Sequence, residues 1–191
     1  MQAAQKRTTI IALVLLVSVG GCDSKSSKSG ALPWGPKHMT ELVVGPYKIP
    51  IPNTWRSVSE LQDKSVQLPD GFVGMTPERL DQGAMRSNIN FTWGQFPAHA
   101  EPPTCDQLAR AFAESMHATA SEIAALSIDG DWGCRFRETT ADASIVQVTR
   151  IRGDHELVAT WTRMATLGTA DADGDREVWE RTLAGLHVPK T

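Results

Sequence analysis

Residues 144–164, SIVQVTRIRGDHELVATWTRM, carry the clearest structural signal in this chain of 191 residues. A run rich in β-branched residues lies on each side of Gly153-Asp154-His155, a pattern typical of a β-hairpin with a short loop. With three loop residues, Arg152 would face Glu156 across the hairpin and form a favourable pair of opposite charges. The stretch therefore predicts two adjacent antiparallel strands.

Alternation of apolar and polar residues continues on the N-terminal side of this hairpin. Trp132, Cys134 and Phe136 alternate with Gly133, Arg135 and Arg137, which predicts a third strand of the same meander. Residues 88–93, NINFTW, predict a half-buried strand with its aromatic side on the core. A further hairpin is predicted between residues 41 and 51, where two extended runs surround Gly45-Pro46.

Two helices complete the predicted fold. Thr104 and Gln107 fit a capping box, and the apolar stripe that follows them predicts a helix over residues 104–126. Asp175 is predicted to cap a C-terminal helix whose apolar positions are Val178, Trp179, Leu183 and Leu186. Because the strands are grouped rather than alternating with helices, we expect an α+β fold with both helices packed on an antiparallel sheet.

The N-terminus has the pattern of an export signal. Lys6 and Arg7 precede an apolar run, TTIIALVLLVSV, that is too short to span a bilayer, which takes roughly 20 residues. The run ends at Val19-Gly20-Gly21-Cys22, which resembles the lipobox of bacterial lipoproteins. The resemblance implies cleavage before Cys22 and acylation of its thiol, which would attach the mature protein to a membrane. It also implies that Asp23, as the second mature residue, favours the inner membrane over the outer.

The chain is expected to divide into three segments. Residues 1–21 are the predicted lipoprotein signal, and residues 22–40, rich in Ser, Lys, Gly and Pro, are a predicted flexible spacer. Residues 41–191 are expected to form a single domain. We therefore expect a location in the bacterial cell envelope, anchored by lipid and facing the periplasm.

Charge and cysteine content restrict the function further. Removal of residues 1–21 leaves 17 basic and 22 acidic residues, a net charge of −5, which argues against general nucleic-acid binding. With Cys22 acylated, Cys105 and Cys134 remain as one pair in an oxidising compartment. A disulfide between them is the preferred interpretation, and two buried free thiols are the alternative.

The order of elements resembles the PsbP-like fold, which includes bacterial envelope lipoproteins of the DcrB type. The resemblance is carried by YKIPIPNTW (residues 47–55), the mid-chain helix, the meander of residues 132–164 and the closing VWERTLAGLHV (residues 178–188). It implies that the domain binds other proteins and is not an enzyme, although members of one fold do unrelated tasks.

No metal or catalytic site is predicted. Counting from Asp171, the EF-hand positions six and twelve fall on Arg176 and Thr182, so DADGDRE is expected to be a solvated loop. No nucleophile elbow occurs, and no cofactor is expected. The histidines are scattered without a metal-ligand spacing: His38, His99, His117, His155 and His187.

Arginines are concentrated on the predicted meander and could form a positive sheet face for an acidic partner or for anionic lipid headgroups. The alternative is an ordinary solvated face paired with Glu138 and Glu156. The residues concerned are Arg135, Arg137, Arg150, Arg152 and Arg163.

The sequence thus predicts a lipid-anchored envelope protein whose domain binds another envelope protein as an adaptor. Two alternatives remain open: an immunity protein that inhibits a periplasmic toxin, and a carrier of a small apolar ligand or lipid.

Overall fold

The computed structural model describes residues 38–58, 70–77, 87–97, 100–165 and 169–186. Their helices are α1 (Cys105–Met116) and α2 (Thr169–Ala184). Their strands are β1 (Met39–Val44), β2 (Tyr47–Pro52), β3 (Trp55–Ser57), β4 (Phe72–Pro77), β5 (Ser87–Gln95), β6 (Thr119–Ile128), β7 (Asp131–Thr139), β8 (Ala143–Arg152) and β9 (His155–Met164).

Seven of the strands form one antiparallel sheet in the order β3-β4-β5-β9-β8-β7-β6. Strands β1 and β2 form a separate antiparallel pair around the predicted Gly45-Pro46 turn. Strand β1 begins at Met39, two residues before the predicted start of the domain at residue 41. The α+β class and the antiparallel sheet are as the sequence predicted.

The large sheet has two buried faces. The α2 face carries Ile89, Phe91, Val146, Val148 and Trp161, which form one core with the β1–β2 hairpin and helix α2. The α1 face carries Cys134, Phe136, Ile145 and Val158, which form a second core with α1. Side chains alternate between these two faces along each strand.

The predicted helix over residues 104–126 is wrong in its second half. Its N-terminal capping box is present, with Thr104 and Gln107 bonded reciprocally. The helix ends at Met116, because His117 adopts a left-handed conformation with φ of 50° and Ala118 N–H bonds to the carbonyl of Ala113. The chain then reverses and pairs with β7 as β6, so that cross-strand pairing overrides the helical spacing of the apolar residues.

The loop of the β8–β9 hairpin is shorter than the sequence predicted. It contains two residues, Gly153 and Asp154, and Gly153 has a φ of 61°, a conformation that suits a tight hairpin turn. Arg152 therefore pairs with His155, whereas Glu156 pairs with Ile151, and the predicted Arg152–Glu156 pair is wrong. The one-residue difference moves Glu156 to the opposite face of the sheet from Arg152.

Helix α2 is longer than expected. It begins at Thr169, so Asp175 lies inside the helix and is buried, rather than capping it. The prediction of a solvated loop at residues 171–177 is wrong for the same reason. Burial of Val178 and Trp179 against the sheet stabilises a segment whose own helix propensity is low.

Candidate functional site

The arginines of the meander share one face of the sheet. Arg135 and Arg137 lie opposite Trp132 and Phe136, as alternation predicts, and point to the α2 face. By the same alternation along β8 and β9, the remaining arginines of these strands lie on that face too: Arg150, Arg152 and Arg163. They do not form one continuous positive surface, because acids and helix α2 divide them.

Arg150 is an internal side chain, so its expected role in partner binding is wrong. Only 1% of it is exposed. Its Nε and Nη2 bond to Oδ2 of Asp131 at 2.9 and 2.5 Å, and its Nη1 donates to the carbonyl of Leu186 at 2.8 Å. The guanidinium also lies 5.6 Å from the ring centroid of Tyr47. The charge of Arg150 is thus paired inside the domain. The planar guanidinium of arginine can donate several hydrogen bonds at once, as it does here.

Arg152 lies at the same end of the sheet and is exposed. Its Nε is 3.9 Å from Oδ2 of Asp131, the carboxylate that already binds Arg150. Asp129 adds a second carboxylate 3.3 Å from Arg150. Two aspartates therefore balance two arginines at this end, and little net positive charge remains for an acidic partner.

The arginine cluster, formed by Arg135, Arg137 and Arg163, extends from the middle of β7 to the other end of the same face. Arg163 is the cross-strand partner of Ser144, whose hydroxyl accepts a hydrogen bond of 3.0 Å from Nη1 of Arg137. Arg135 and Arg137 are 33% and 30% exposed. Three partly exposed arginines of β7 and β9 therefore lie on one half of the α2 face, on the two sides of β8.

Two glutamates partly neutralise the arginine cluster. Glu122 accepts a hydrogen bond from Nε of Arg137 at 2.9 Å, and this bond lowers the pKa of the exposed carboxyl. Glu180 of α2 lies 3.9 Å from Arg135, a distance at the limit of an ion pair. Arg163 forms no ion pair with any residue that the structure describes. The cluster therefore keeps a net positive charge.

The α1 face is polar across its central strands although it is buried. The prediction that β5 is half-buried is wrong, because β5 lies inside the sheet and both of its faces are covered. Asn90 bonds to Asn88 at 2.7 Å and Gln147 to Thr149 at 3.3 Å. The buried polar side chains on this face are Asn88, Asn90, Thr92, Gln147, Thr149, Thr160 and Thr162.

Glu138 is the most unusual member of the α1 face. It is completely buried, and neither of its carboxylate oxygens has a hydrogen-bond partner in the described part of the chain. Burial raises the pKa of this carboxyl to about 7. The sequence had indicated Glu138 only as a possible ion-pair partner of the arginines on a solvated face. Alternation along β7 places Glu138 on the same face as the buried Cys134 and Phe136, and this pattern in the sequence indicates its burial.

An open cleft of about 520 Å³ lies at the C-terminal end of α1. Ala120 in its wall is the cross-strand partner of Glu138, so both side chains lie on the same face of the sheet. The cleft is lined by Arg110, Ala113, Glu114, His117, Ala118, Thr119 and Ala120.

The predicted disulfide is present. Cys105, the first residue of α1, is bonded to Cys134 in β7, with a distance of 5.5 Å between their Cα atoms. That separation is the usual one for a disulfide. The bond fixes the start of α1 to the sheet and positions the helix across β6 and β7.

Other predicted features give no further site. His155 stacks on Trp93 and bonds to Asp154 and Gln95, but the described residues contain no group of three side chains able to hold a metal ion. Within the described ranges, no helix is long and apolar enough to cross a membrane. Cys22, His99 and His187 lie outside the described residues.

Comparison with known proteins supports the fold. Neither a family model nor a curated protein matches the chain. The solved structure of cyanobacterial PsbP (CyanoP) from Synechocystis sp. PCC 6803 is similar over 89% of this chain and 98% of its own, with a TM-score of 0.56 and 12% identity. A Pseudomonas aeruginosa protein of unknown function covers 81% of this chain and 99% of its own, with a TM-score of 0.42 and 17% identity. The domain has a PsbP-like α+β fold.

Proposed function

We propose that this protein is a lipid-anchored lipoprotein of the bacterial cell envelope whose domain binds an acidic segment of another envelope protein. The lipobox-like Val19-Gly20-Gly21-Cys22 supports the anchor, and the spacer that follows would hold the domain away from the membrane. Under this proposal the protein acts as a non-enzymatic adaptor that faces the periplasm, with the inner membrane favoured.

The arginine cluster is the observation that carries the binding proposal. Its side chains are partly exposed, share the α2 face on the two sides of β8, and are incompletely matched by Glu122 and Glu180. Arginine at such a surface can bind carboxylates in a bidentate manner, which gives both affinity and orientation. An acidic partner is favoured over nucleic acid because the mature chain has a net charge of −5.

The core favours protein binding over carriage of an apolar ligand. Trp161 and Trp179 stack between the sheet and α2 with their ring centroids 6.1 Å apart, and Tyr47 packs in the same core. These large side chains occupy the space that a carrier would keep open. Inhibition of a periplasmic toxin is a special case of protein binding, and the identity of the partner distinguishes it from an adaptor.

Capture of partners from envelope extract tests the binding proposal. The bait is the purified protein, and the test variant carries Arg135→Gln, Arg137→Gln and Arg163→Gln. The control variant carries Lys48→Gln, Arg152→Gln and Arg181→Gln, which remove the same charge from exposed positions elsewhere. We expect one dominant partner that the test variant loses and the control retains. Equal loss in both variants, or retention by both, would contradict the proposed surface.

Fractionation of cells tests the anchor separately. We expect Cys22→Ala to remain uncleaved or to appear in the soluble fraction, whereas Cys22→Ala with a plain cleavable signal should be fully soluble. Membrane attachment of that second variant equal to the wild type would contradict lipidation at Cys22 without bearing on the arginine cluster.

A further inference from the structure

We propose that the outer edge of β6 binds an extended, acidic segment of the partner protein as an added antiparallel strand. This inference rests on the proposed function, because it names the form in which an acidic segment would reach the arginine cluster. When a strand is added to a sheet edge, main-chain hydrogen bonds supply affinity and alternate side chains supply specificity.

Strand β6 is a long, open edge of the seven-stranded sheet. Its ten residues pair with β7 on one side, no strand that the structure describes pairs with the other side, and six of the ten residues are exposed. A bulge lies between Ser121 and Ala124. After it, residues 124–128 (AALSI) pair regularly with β7 and contain neither a charged residue nor a proline, the features that commonly block edge pairing.

The β6–β7 turn fixes which backbone groups of β6 are free to bind. Residues 129–130 have φ values of 53° and 86°, as in a type I′ turn. The residues that flank such a turn form a hydrogen-bonded pair, and hydrogen-bonded pairs recur at every second residue. The N–H and C=O groups of Ala125 and Ser127 therefore point away from β7, and both residues are exposed.

The α2 face of β6 is apolar beside the turn. Leu126 and Ile128 are half-buried there and pack over Gly133 of β7, where a Cβ would lie 3.2 Å from Leu126 and 3.3 Å from Ile128. Apolar residues at two alternate positions of an added strand would bury more of both side chains.

Toward the bulge the same face is basic. Arg135 is the cross-strand partner of Ala124. Arg137 is the partner of Ser121, so each arginine lies next to a small residue of β6. Two strand spacings, about 10 Å, separate β7 from an added strand, and an arginine and a glutamate can meet across that gap above a small residue. Nε of Arg137 already reaches Glu122 of β6 at 2.9 Å.

Calorimetric titration of the purified protein with the acetylated, amidated peptide Val-Thr-Val-Thr-Glu-Thr-Glu tests the proposal. In the antiparallel register its valines lie beside Ile128 and Leu126, and its glutamates lie beside Ala124 and Ser121. We expect saturable binding that is weaker by about tenfold or more when glutamines replace the glutamates. Absence of saturable binding would overturn the proposal, as would equal affinity for the two peptides.

N-methylated peptides test whether the segment binds as a strand. The first two threonines lie opposite Ser127 and Ala125 and direct their N–H groups to β6, whereas the second valine and the first glutamate direct theirs to solvent. Methylation of the two threonine amides should weaken binding about tenfold, and methylation of the other two amides should weaken it less than about threefold. Equal losses would overturn strand addition.

Variants of the protein assign the binding to β6. Ser127→Pro removes an outward N–H and no bond to β7, so it should weaken peptide binding about tenfold, whereas Ser127→Ala should bind as the wild type does. Glu122→Gln should strengthen binding about threefold, because its carboxylate competes for Arg137. Urea denaturation checks that Ser127→Pro is folded, and the N-methylated peptides give the same test on the unaltered protein. Unaltered binding by folded Ser127→Pro would overturn the assignment.

The capture experiment separates this inference from the proposed function. A partner that Ser127→Pro retains and the triple arginine variant loses would bind the arginine cluster without adding a strand, which overturns the inference alone. A partner that the arginine variant retains would contradict the proposed function itself. A dimer of this chain that Ser127→Pro abolishes would assign the edge to a second copy and also overturn the inference. Charge disfavours that occupant, since the arginines of both copies would share one face and each β6 supplies one acid.

Discussion

Arg150 in strand β8 donates a hydrogen bond of 2.8 Å to the carbonyl oxygen of Leu186, just beyond the end of helix α2. The same guanidinium binds Asp131, so a single buried side chain joins the sheet, the β6–β7 turn region and the C-terminal helix. A cation at the end of a helix also interacts favourably with its partial negative charge. Arg150 is therefore a structural residue that joins the elements of the α2 face.

Replacement of Arg150 should destabilise the fold strongly. Arg150→Met retains an unbranched apolar side chain but leaves Asp131 and the Leu186 carbonyl without their donor. We expect the free energy of unfolding to fall by about 3 kcal/mol, as for other broken buried ion pairs. Urea denaturation followed by tryptophan fluorescence measures it. Arg152→Met is the control and should change stability by less than about 0.5 kcal/mol, because that side chain is exposed. Similar losses in both variants would contradict the structural role.

Glu138 should make the protein less stable as the pH rises. The folded state holds this proton up to a pKa of about 7, whereas the unfolded state releases it near 4.5. The unfolded state therefore binds fewer protons between these values, and stability decreases across that interval and stays low above it. The difference between 4.5 and about 7 corresponds to roughly 3 kcal/mol, and Glu138→Gln should regain about that amount at pH 8. Burial also raises the pKa of Glu156, which contributes a decrease of the same sign.

The free energy of unfolding of wild type and of Glu138→Gln, measured by denaturation from pH 4.5 to pH 8, checks this prediction. Taking the difference between the two proteins cancels the contribution of Glu156. The control is Glu122→Gln, whose exposed carboxyl pairs with Arg137 and has a lowered pKa. Because it keeps Glu138, the control should still lose stability between pH 5 and pH 7, as the wild type does. A difference between wild type and Glu138→Gln that does not vary with pH would refute the assignment.

The disulfide between Cys105 and Cys134 should stabilise the domain. It closes a loop with a sequence separation of 29, for which restriction of the unfolded chain gives roughly 3 to 4 kcal/mol. In a Cys22→Ala background, labelling of denatured, unreduced protein should find no free thiol. The Cys105→Ser, Cys134→Ser variant should unfold at correspondingly lower urea concentration. Two labelled thiols in the unreduced sample would contradict the bond.

Two buried threonines should respond oppositely to removal of their hydroxyl groups. Thr76 donates to the carbonyl of Ser87 at 2.7 Å, whereas the hydroxyl of Thr160 has no partner among the described residues. Thr76→Val should therefore cost about 1 kcal/mol, and Thr160→Val should be neutral or stabilising. Both side chains are 1% exposed, which makes each the control for the other in thermal denaturation. A larger cost at Thr160 would show that its hydroxyl is bonded.

The meander and the capping box could be predicted from the sequence because their signals are local. Alternation along residues 144–164 depends only on the two-residue period of a strand, and Thr104 with Gln107 depends on groups three residues apart. The turn at Gly153 was less predictable, since two- and three-residue loops have the same composition.

The end of α1 and the start of α2 could not be predicted in this way. Residues 119–128 have apolar residues at helical spacing, and only the exposed edge of β7 makes a strand more favourable there. Likewise, residues 169–175 include one glycine and three aspartates, which are poor helix formers, and packing of Trp179 against Trp161 stabilises the helix that contains them.

The sequence by itself determined the α+β class, the sheet meander and the shared face of Arg135 and Arg137, and it favoured a disulfide between Cys105 and Cys134. These depend on short periods and on composition. Only the tertiary structure decided that Arg150 is internal, that Arg163 lies on the same face as Arg137, and that Glu138 is buried without a partner among the described residues. The reason is that burial and charge pairing are set by what packs on each face of the sheet, and residues distant in the sequence supply that packing.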